Sequence, residues 1–442
     1  MKKLLIIIVA TFLISLQQIR AQDTTSVDAK EEVSDLKGAV DGMNETLLEM
    51  KSTLDALKKI KISGYIQAQF QAADTAGISS FAGSDFPKGV QSRFQVRRGR
   101  FKFDYDNDLT HYVMEVDVTQ NGVALRDAYI FVRESWLRAF ALTAGAFYRP
   151  FGFEVSYSSG NRETPEQSRL FQTLFPGERE LGAQFEFTPE LGSLSNFNLK
   201  AGVFNGVLST ANENDRNKDF IGRLGVQLPF EEQSLAIDAG ISTYLGKVTN
   251  NSKFTFDIDK TSPIKRYKVD STASNVDGSY GRTYIGGDIE LYYDLPDIGG
   301  LSLRGEYIAG QQPGTATSNS FYNPGSTVTP LYIRNFNGWY VTYMQNIGLK
   351  NQFIVKYDVL DPNSDVEAFD IGASGSNLTV ADVKYSTPGV GWIYYWDTNV
   401  KFVVYYDNVM NEKINSAATG PLALFKNDIK DNVLTLRVQY KF

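Results

Sequence analysis

Residues 433–442, VLTLRVQYKF, put Leu434, Leu436, Val438, Tyr440 and Phe442 on one set of alternate positions and Val433, Thr435, Arg437, Gln439 and Lys441 on the other. Side chains of an extended chain point to opposite faces with a period of two, so one face is apolar and aromatic and the other mostly polar. The dyad recurs at Phe185 and Phe187 against Gln184 and Glu186, and at Phe197, Leu199, Ala201 and Val203 against Asn198 and Lys200. It recurs again at Leu224, Val226, Leu228 and Phe230 against Arg223 and Gln227, and at Phe353, Val355, Tyr357 and Val359 against Gln352, Lys356 and Asp358. These are half-buried strands of about ten residues, longer than the five or six usual in a soluble sandwich.

About sixteen such strands are expected. They begin near Ile62, Arg93, His111, Ala124, Leu137, Glu180, Asn196, Asp219, Ser234, Arg282, Leu301, Asn337, Asn351, Gly389, Asn399 and Asn432. Connections are short at 106–110, 134–136, 189–195, 231–232, 295–300 and 397–398, and long at 71–91, 148–179, 247–281, 311–335, 361–384 and 411–431. Short and long loops alternating on an even number of amphipathic strands is the pattern of an all-β transmembrane barrel of antiparallel strands. Only 120–123, with its Asn121-Gly122 hairpin signal, is short where a long loop is expected. Lipid offers the backbone no hydrogen-bond partner, so a sheet spans it only when closed, and about sixteen strands enclose a space wide enough for water. Trp136, Trp339, Tyr340, Trp392, Tyr394, Tyr395, Trp396, Tyr405 and Tyr406 fall near strand ends or in the last hairpin, where an aromatic girdle belongs.

The N-terminus reads differently. Lys2 and Lys3 precede an apolar run from Leu4 to Leu16 and a small residue, Ala21, which makes residues 1–21 an export signal peptide. Residues 22–60 form a second segment, in which Val33, Leu36, Val40, Met43, Leu47, Met50, Leu54 and Leu57 step by three and four. That a/d seam predicts a short periplasmic α-helical coiled coil. The barrel occupies residues 61–442.

Composition narrows the chemistry. The 442 residues include no Cys and one His, which excludes disulfides, thiol nucleophiles, Cys-ligated metals and His-rich metal sites. Mean hydropathy is −0.25, and beyond residue 16 no run approaches the ~20 apolar residues of a membrane helix. Loss of the three positive charges in residues 1–21 takes the net charge from −7 to −10, against nucleic-acid binding. His111 next to a short turn is poorly placed for a catalytic dyad, so no enzyme is expected. The acidic groups Asp104, Asp106 and Asp108, and Asn214, Asp215 and Asp219, lack calcium-loop spacing and read as turn residues, so no metal or other cofactor is expected.

RFQVRRGRFKF at 93–103, LRDAYIFV at 125–132 and GAFYRPFGFE at 145–154 resemble the phosphate-selective porin O and P family, as do GVGWIYYWDTNVKFVVYYDNV and the terminal LRVQYKF. The resemblance covers about Lys61 to Phe442. It implies a homotrimer of sixteen-stranded barrels, each with its own anion pathway, narrowed by the loop between the fifth and sixth strands. That loop carries Arg149, Arg162, Arg169 and Arg179. By the same resemblance Arg97 and Arg98 match paired constriction arginines and Asp127 a lumen acid, with Arg100 beside them. Phe442 resembles the terminal residue read by the barrel-assembly machinery. Val155 stands where the family's best phosphate binders carry a lysine.

A regular strand would turn Arg97 and Arg98 to opposite faces, and an arginine facing lipid at mid-depth costs about 2–4 kcal/mol. Apolar positions switch from even (Phe94, Val96) to odd (Phe101, Phe103, Tyr105), which predicts a bulge near Gly99. The expected function is an outer-membrane porin of a Gram-negative bacterium for small hydrophilic solutes, anion-preferring, with phosphate or polyphosphate as candidate solutes. The alternative is a structural or adhesive barrel plugged by its own loops.

Overall fold

The computed structural model describes residues 28–192, 194–320 and 327–442; the expected signal peptide lies outside them. The helix α1 (Asp28–Lys58) and the region Ile60–Phe442 are separate compact units. On α1 the eight seam residues are all 51–66% exposed, so no described residue of its own unit covers the seam.

The second unit is a closed antiparallel barrel. Its wall is β1 (Ile60–Ala73), β2 (Ser92–Asn107), β3 (Thr110–Thr119), β4 (Gly122–Arg133), β5 (Phe140–Tyr148), β6 (Arg179–Phe187), β7 (Phe197–Phe204) and β8 (Asp219–Phe230). It continues through β9 (Leu235–Thr249), β10 (Ser279–Leu295), β11 (Gly299–Gly314), β12 (Leu331–Ile347), β13 (Asn351–Asp361), β14 (Tyr385–Tyr395), β15 (Val400–Asp407) and β16 (Val433–Lys441). Each strand pairs with the next, and β16 pairs back onto β1 from Tyr65↔Lys441 to Ala73↔Val433, so sixteen strands leave no free edge. Three further short strands lie in loops: Thr255–Ile258 hairpins with Tyr267–Asp270, and Met410–Asn411 adds to β14.

All sixteen expected strands are present, and loop 205–218 completes the alternation of lengths, leaving 120–121 as the one exception. The bulge is at Arg97: Gln67 faces Arg98 and Ala68 faces Val96, so Arg97 is the extra residue. On either side of it Phe94, Val96, Phe101, Phe103 and Tyr105 all face outward, as the parity switch requires. A second bulge makes Arg126 the extra residue of β4, between Glu115↔Asp127 and Val116↔Leu125.

Two expectations about the faces need correction. Trp136, Trp392, Tyr394, Trp396 and Tyr406 are exposed on the outer surface, but Tyr340 and Tyr405 are buried on the lumen side and Tyr395 packs there against the cluster of Ile393 and Tyr405. Tyr340 Oη donates to Glu306, and Tyr405 sits against Gly389 and Gly391. Adjacent aromatics on one strand cannot share a face, so Tyr340 points opposite to Trp339 and Tyr405 opposite to Tyr406. The lumen is also less aqueous than a polar face implies. Phe204, Ile221, Tyr244, Tyr284, Ile308, Phe336, Tyr340 and Leu360 project from β7–β13 into one apolar cluster with residues of loop 149–178.

At the long-loop end, Ile258, Tyr267, Ile371, Leu378, Val383 and Ile414 form a separate apolar core shared by three loops. Asp382 anchors it, accepting from Arg334 at 2.8 Å, Tyr267 Oη at 2.5 Å and Asn363 at 2.8 Å. Its carboxyl is buried, which would raise its pKa, but Arg334 and these donors hold it below the ordinary value.

Leu436 lies mid-strand on the exposed face of β16. Leu436→Arg should destabilise the barrel in lipid by about 2–4 kcal/mol, measured by urea unfolding in vesicles. An unchanged midpoint would mean that this face does not meet hydrocarbon.

Candidate functional site: a loop clamped across the lumen

Loop 149–178 does not extend outward. Its first anchor is Pro150-Phe151-Gly152-Phe153-Glu154. Gly152 has φ +57°, a left-handed conformation, and a Cβ there would collide with Glu306 Oε2. That close approach lets the Glu306 carboxylate on β11 accept the N–H groups of Phe153 at 2.9 Å and Glu154 at 2.6 Å. Gly152 N–H itself donates to Ser242 Oγ on β9 at 2.9 Å. Phe151 fits against Gly286 of β10, where a Cβ would meet its ring at 2.9 Å. Glu154 then folds the loop on itself by accepting Ser168 N–H at 3.1 Å and Ser168 Oγ at 2.5 Å. The short helix α2 (Arg169–Leu174) buries Leu170, Phe171 and Leu174, followed by Phe175, in the apolar cluster. Each fully buried Phe contributes about 1.5–3 kcal/mol, so the cluster is the loop's main support.

Polar contacts hold the far side. Ser159 Oγ meets Tyr65 Oη at 2.6 Å, Gly160 O accepts from Gln439 at 2.8 Å, and Arg162 O accepts from Lys401 Nζ at 3.0 Å. Glu163 pairs with Arg304 at 3.0 Å. The loop thus leaves β5, crosses to β1, β15 and β16, and returns to β6.

At its centre stands Glu166. Its Oε1 accepts Arg97 Nε at 2.8 Å, Arg437 Nη2 at 2.9 Å and Arg98 Nη1 at 3.3 Å, while Oε2 accepts Arg97 Nη2 at 2.9 Å and Arg98 Nη2 at 2.8 Å. Burial would raise the Glu166 pKa, but the three guanidiniums outweigh it and hold the carboxyl well below the usual range. Three cations against one anion leave a local surplus of two positive charges. The bulge creates this geometry, because it turns Arg97 to the same side as Arg98.

A second network lies toward the short turns. Arg100 contacts Glu115 at 3.1 Å and Asp117 at 3.5 Å. Arg179 contacts Asp127 at 2.9 Å, Glu115 at 3.2 Å, Glu178 at 2.5 Å and Tyr148 Oη at 2.6 Å. Arg162 reaches Glu178 at 3.4 Å and the Tyr157 carbonyl at 3.1 Å. Burial opposes ionisation of Glu178, yet Arg179, Arg162, Arg100 and Arg98 bring its pKa down to about 2.

The expected site residues therefore separate into groups. Arg97 and Arg98 meet on Glu166; Arg100, Asp127 and Arg162 join the second network. Arg169 is sandwiched between the rings of Phe81 at 4.3 Å and Tyr385 at 3.8 Å. Arg149 is paired with Glu180 at 2.8 Å, both side chains 0% exposed, and braces the loop's base. Sequence reasoning missed Glu166 and Arg437. Arg437 was already on the polar face of β16, but nothing local distinguished it from Gln439 or Lys441.

Two cavities flank the clamp. One of about 270 Å³, toward the long-loop end, is lined by Arg97, Arg126, Asp117, Gln95, Thr119 and Gln120. The other, of about 720 Å³ below the loop, is lined by Lys102, Glu115, Asp127, Lys200, Arg223 and Glu290 among others.

A closed sixteen-strand barrel with a loop clamped across its charged lumen defines an outer-membrane porin, a channel rather than an enzyme. Similar solved structures share this fold. OprB of Pseudomonas putida is 10% identical, with TM-score 0.55 over 88% of this chain and 96% of its own. The anion-selective porin of Comamonas acidovorans is 10% identical, with TM-score 0.51 over 87% and 99%. OmpF of Salmonella typhi, solved with daunomycin, is 12% identical, with TM-score 0.51 over 87% and 97%. No curated protein matches the sequence. The profile of the phosphate-selective porin O and P family matches residues 80–442, and the chain belongs to that family. Its place is the outer membrane of a Gram-negative bacterium.

Gly152→Ala forces a left-handed Ala, costing about 1–2 kcal/mol, and displaces the Glu306 cap. Chymotryptic cleavage at Phe153 should accelerate while the barrel stays intact; unchanged cleavage would mean that Glu306 does not hold the loop. The pH dependence follows from the depressed carboxyls. A carboxyl lowered in the fold stabilises above its unfolded pKa, about 4.3 for Glu, and loses that contribution only as pH falls through the folded value. Glu166 and Glu178 should therefore stay ionised from pH 7 to pH 5, read from their carboxyl carbon-13 shifts, and protonation of either by pH 5 would contradict the assigned pairs.

Proposed function

We propose that the protein is an anion-preferring diffusion porin for small hydrophilic solutes, with inorganic phosphate and polyphosphate as candidate solutes. The observation that carries this reading is the excess of guanidinium over carboxylate at the clamp, where Arg97, Arg98 and Arg437 face one Glu166. Arginine forks replace the hydration of an oxyanion with parallel charge-assisted hydrogen bonds, and a series of such sites conducts when each releases its ion. Arg97 and Arg98 form the constriction in this reading, with Arg100, Asp127, Arg162 and Arg169 along the pathway and Arg149 bracing it. Val155 in place of a lysine argues for preference among anions rather than strict phosphate selectivity.

The working unit is a homotrimer, joined in the periplasm by a coiled coil of α1 helices once residues 1–21 are removed. The exposed heptad seam supports this. Outer-membrane lipid surrounds the apolar belt, and Phe442 ends the strand that the assembly machinery reads.

Neutralising both constriction arginines, Arg97→Gln with Arg98→Gln, should lower the anion-to-cation permeability ratio severalfold in planar bilayers; an unchanged reversal potential would remove the assignment. A second reading, a barrel plugged by its own loop, is favoured by the apolar packing of residues 151–175 in the lumen. Single-channel conductance separates the two, since a plugged barrel gives none.

A further inference from the structure

Glu166 is coordinated in the way a permeating oxyanion would be. Its two oxygens accept five N–H donors from three guanidiniums, with about four lone-pair sites to offer, so the carboxylate is saturated. It is buried, and no strand carries it: it projects from the Pro165-Glu166-Gln167 segment of the loop. The arginines come from β2 and β16, so the cationic site belongs to the barrel wall and the anion to the loop. Arg437 also donates Nη1 to the Pro165 carbonyl at 2.7 Å and Nε to Gln69 at 2.8 Å, which holds its fork in place whether or not Glu166 is there. Arg97 additionally lines the 270 Å³ cavity toward the long loops, so an arriving anion meets the guanidinium that Glu166 already engages.

We infer that Glu166 is a tethered competitor, a carboxylate built into the loop that occupies an oxyanion site formed by Arg97, Arg98 and Arg437 and weakens the hold of that site on a permeating phosphate. The inference rests on the anion-porin reading and specifies its central residue. A pore with three bare guanidiniums at its waist would trap a divalent oxyanion and block itself. Glu166 offsets one charge and fills the forks, so a phosphate must displace it to bind and is released when it returns. The held-down carboxyl pKa keeps this competitor ionised at neutral pH.

The test compares three variants of the full chain. Glu166→Gln removes the competing charge, Glu166→Asp keeps it, and Glu163→Gln cuts a different tether of the same loop, that to Arg304. Chloride current is recorded in planar bilayers with inorganic phosphate titrated in, and phosphate binding to the detergent-solubilised protein is measured by calorimetry. With Glu166→Gln, phosphate should block and bind at about tenfold lower concentration, the scale of one charge-assisted interaction. Glu166→Asp and Glu163→Gln should stay near the native value. An unchanged phosphate affinity in Glu166→Gln, or an equal gain in Glu163→Gln, overturns the inference by removing the competitor or reducing it to loop loosening. A native protein that conducts cations or nothing overturns the anion-porin reading instead, while the calorimetric comparison still decides the role of Glu166.

Discussion

In hydrocarbon a backbone N–H has no partner except a neighbouring strand, and this requirement governs everything else in the barrel. It forces β16 onto β1, and closure at sixteen strands sets an interior too wide for wall side chains to fill. The space is occupied instead by loop 149–178, which has to satisfy its own backbone there. The Pro150–Glu154 turn does so through Glu306 and Ser242, and the fold between Glu154 and Ser168 does so within the loop.

Two different forces divide the lumen. On the β7–β13 side the loop is held mainly by aromatic and aliphatic packing, which is non-directional and scales with the apolar area removed from water. Around β1, β2 and β16 it is held by ion pairs in a low-dielectric setting. Removing one partner of such a pair costs about 3–5 kcal/mol, because a buried charge is left behind. The apolar half gives the loop a fixed position, and the charged half gives that position a chemical meaning. Selectivity in this account comes from an imbalance, since Arg97, Arg98 and Arg437 share a single carboxylate.

The strands were legible because period-two alternation is local: VLTLRVQYKF names its own faces. A bulge near Gly99 was visible too, as the apolar positions change parity between Val96 and Phe101, and the structure puts it two residues earlier, at Arg97. What was not legible depended on how one loop folds across the barrel. Glu166 stands 69 residues from Arg97 and 271 from Arg437, and no pattern in the chain links them. Arg149 and Arg162 look equivalent in the loop sequence, yet one is sealed against Glu180 and the other reaches Glu178. Tyr340, Tyr395 and Tyr405 point inward although their position near strand ends suggested the girdle, because on a strand parity decides the face and composition does not.

The central claim, a porin whose clamp is net cationic, is tested most directly by the zero-current potential of the native protein in a planar bilayer under a potassium chloride gradient. The account predicts an open channel whose potential has the sign of chloride permeating faster than potassium. A potential of the opposite sign, or a membrane that stays silent after insertion, would contradict it.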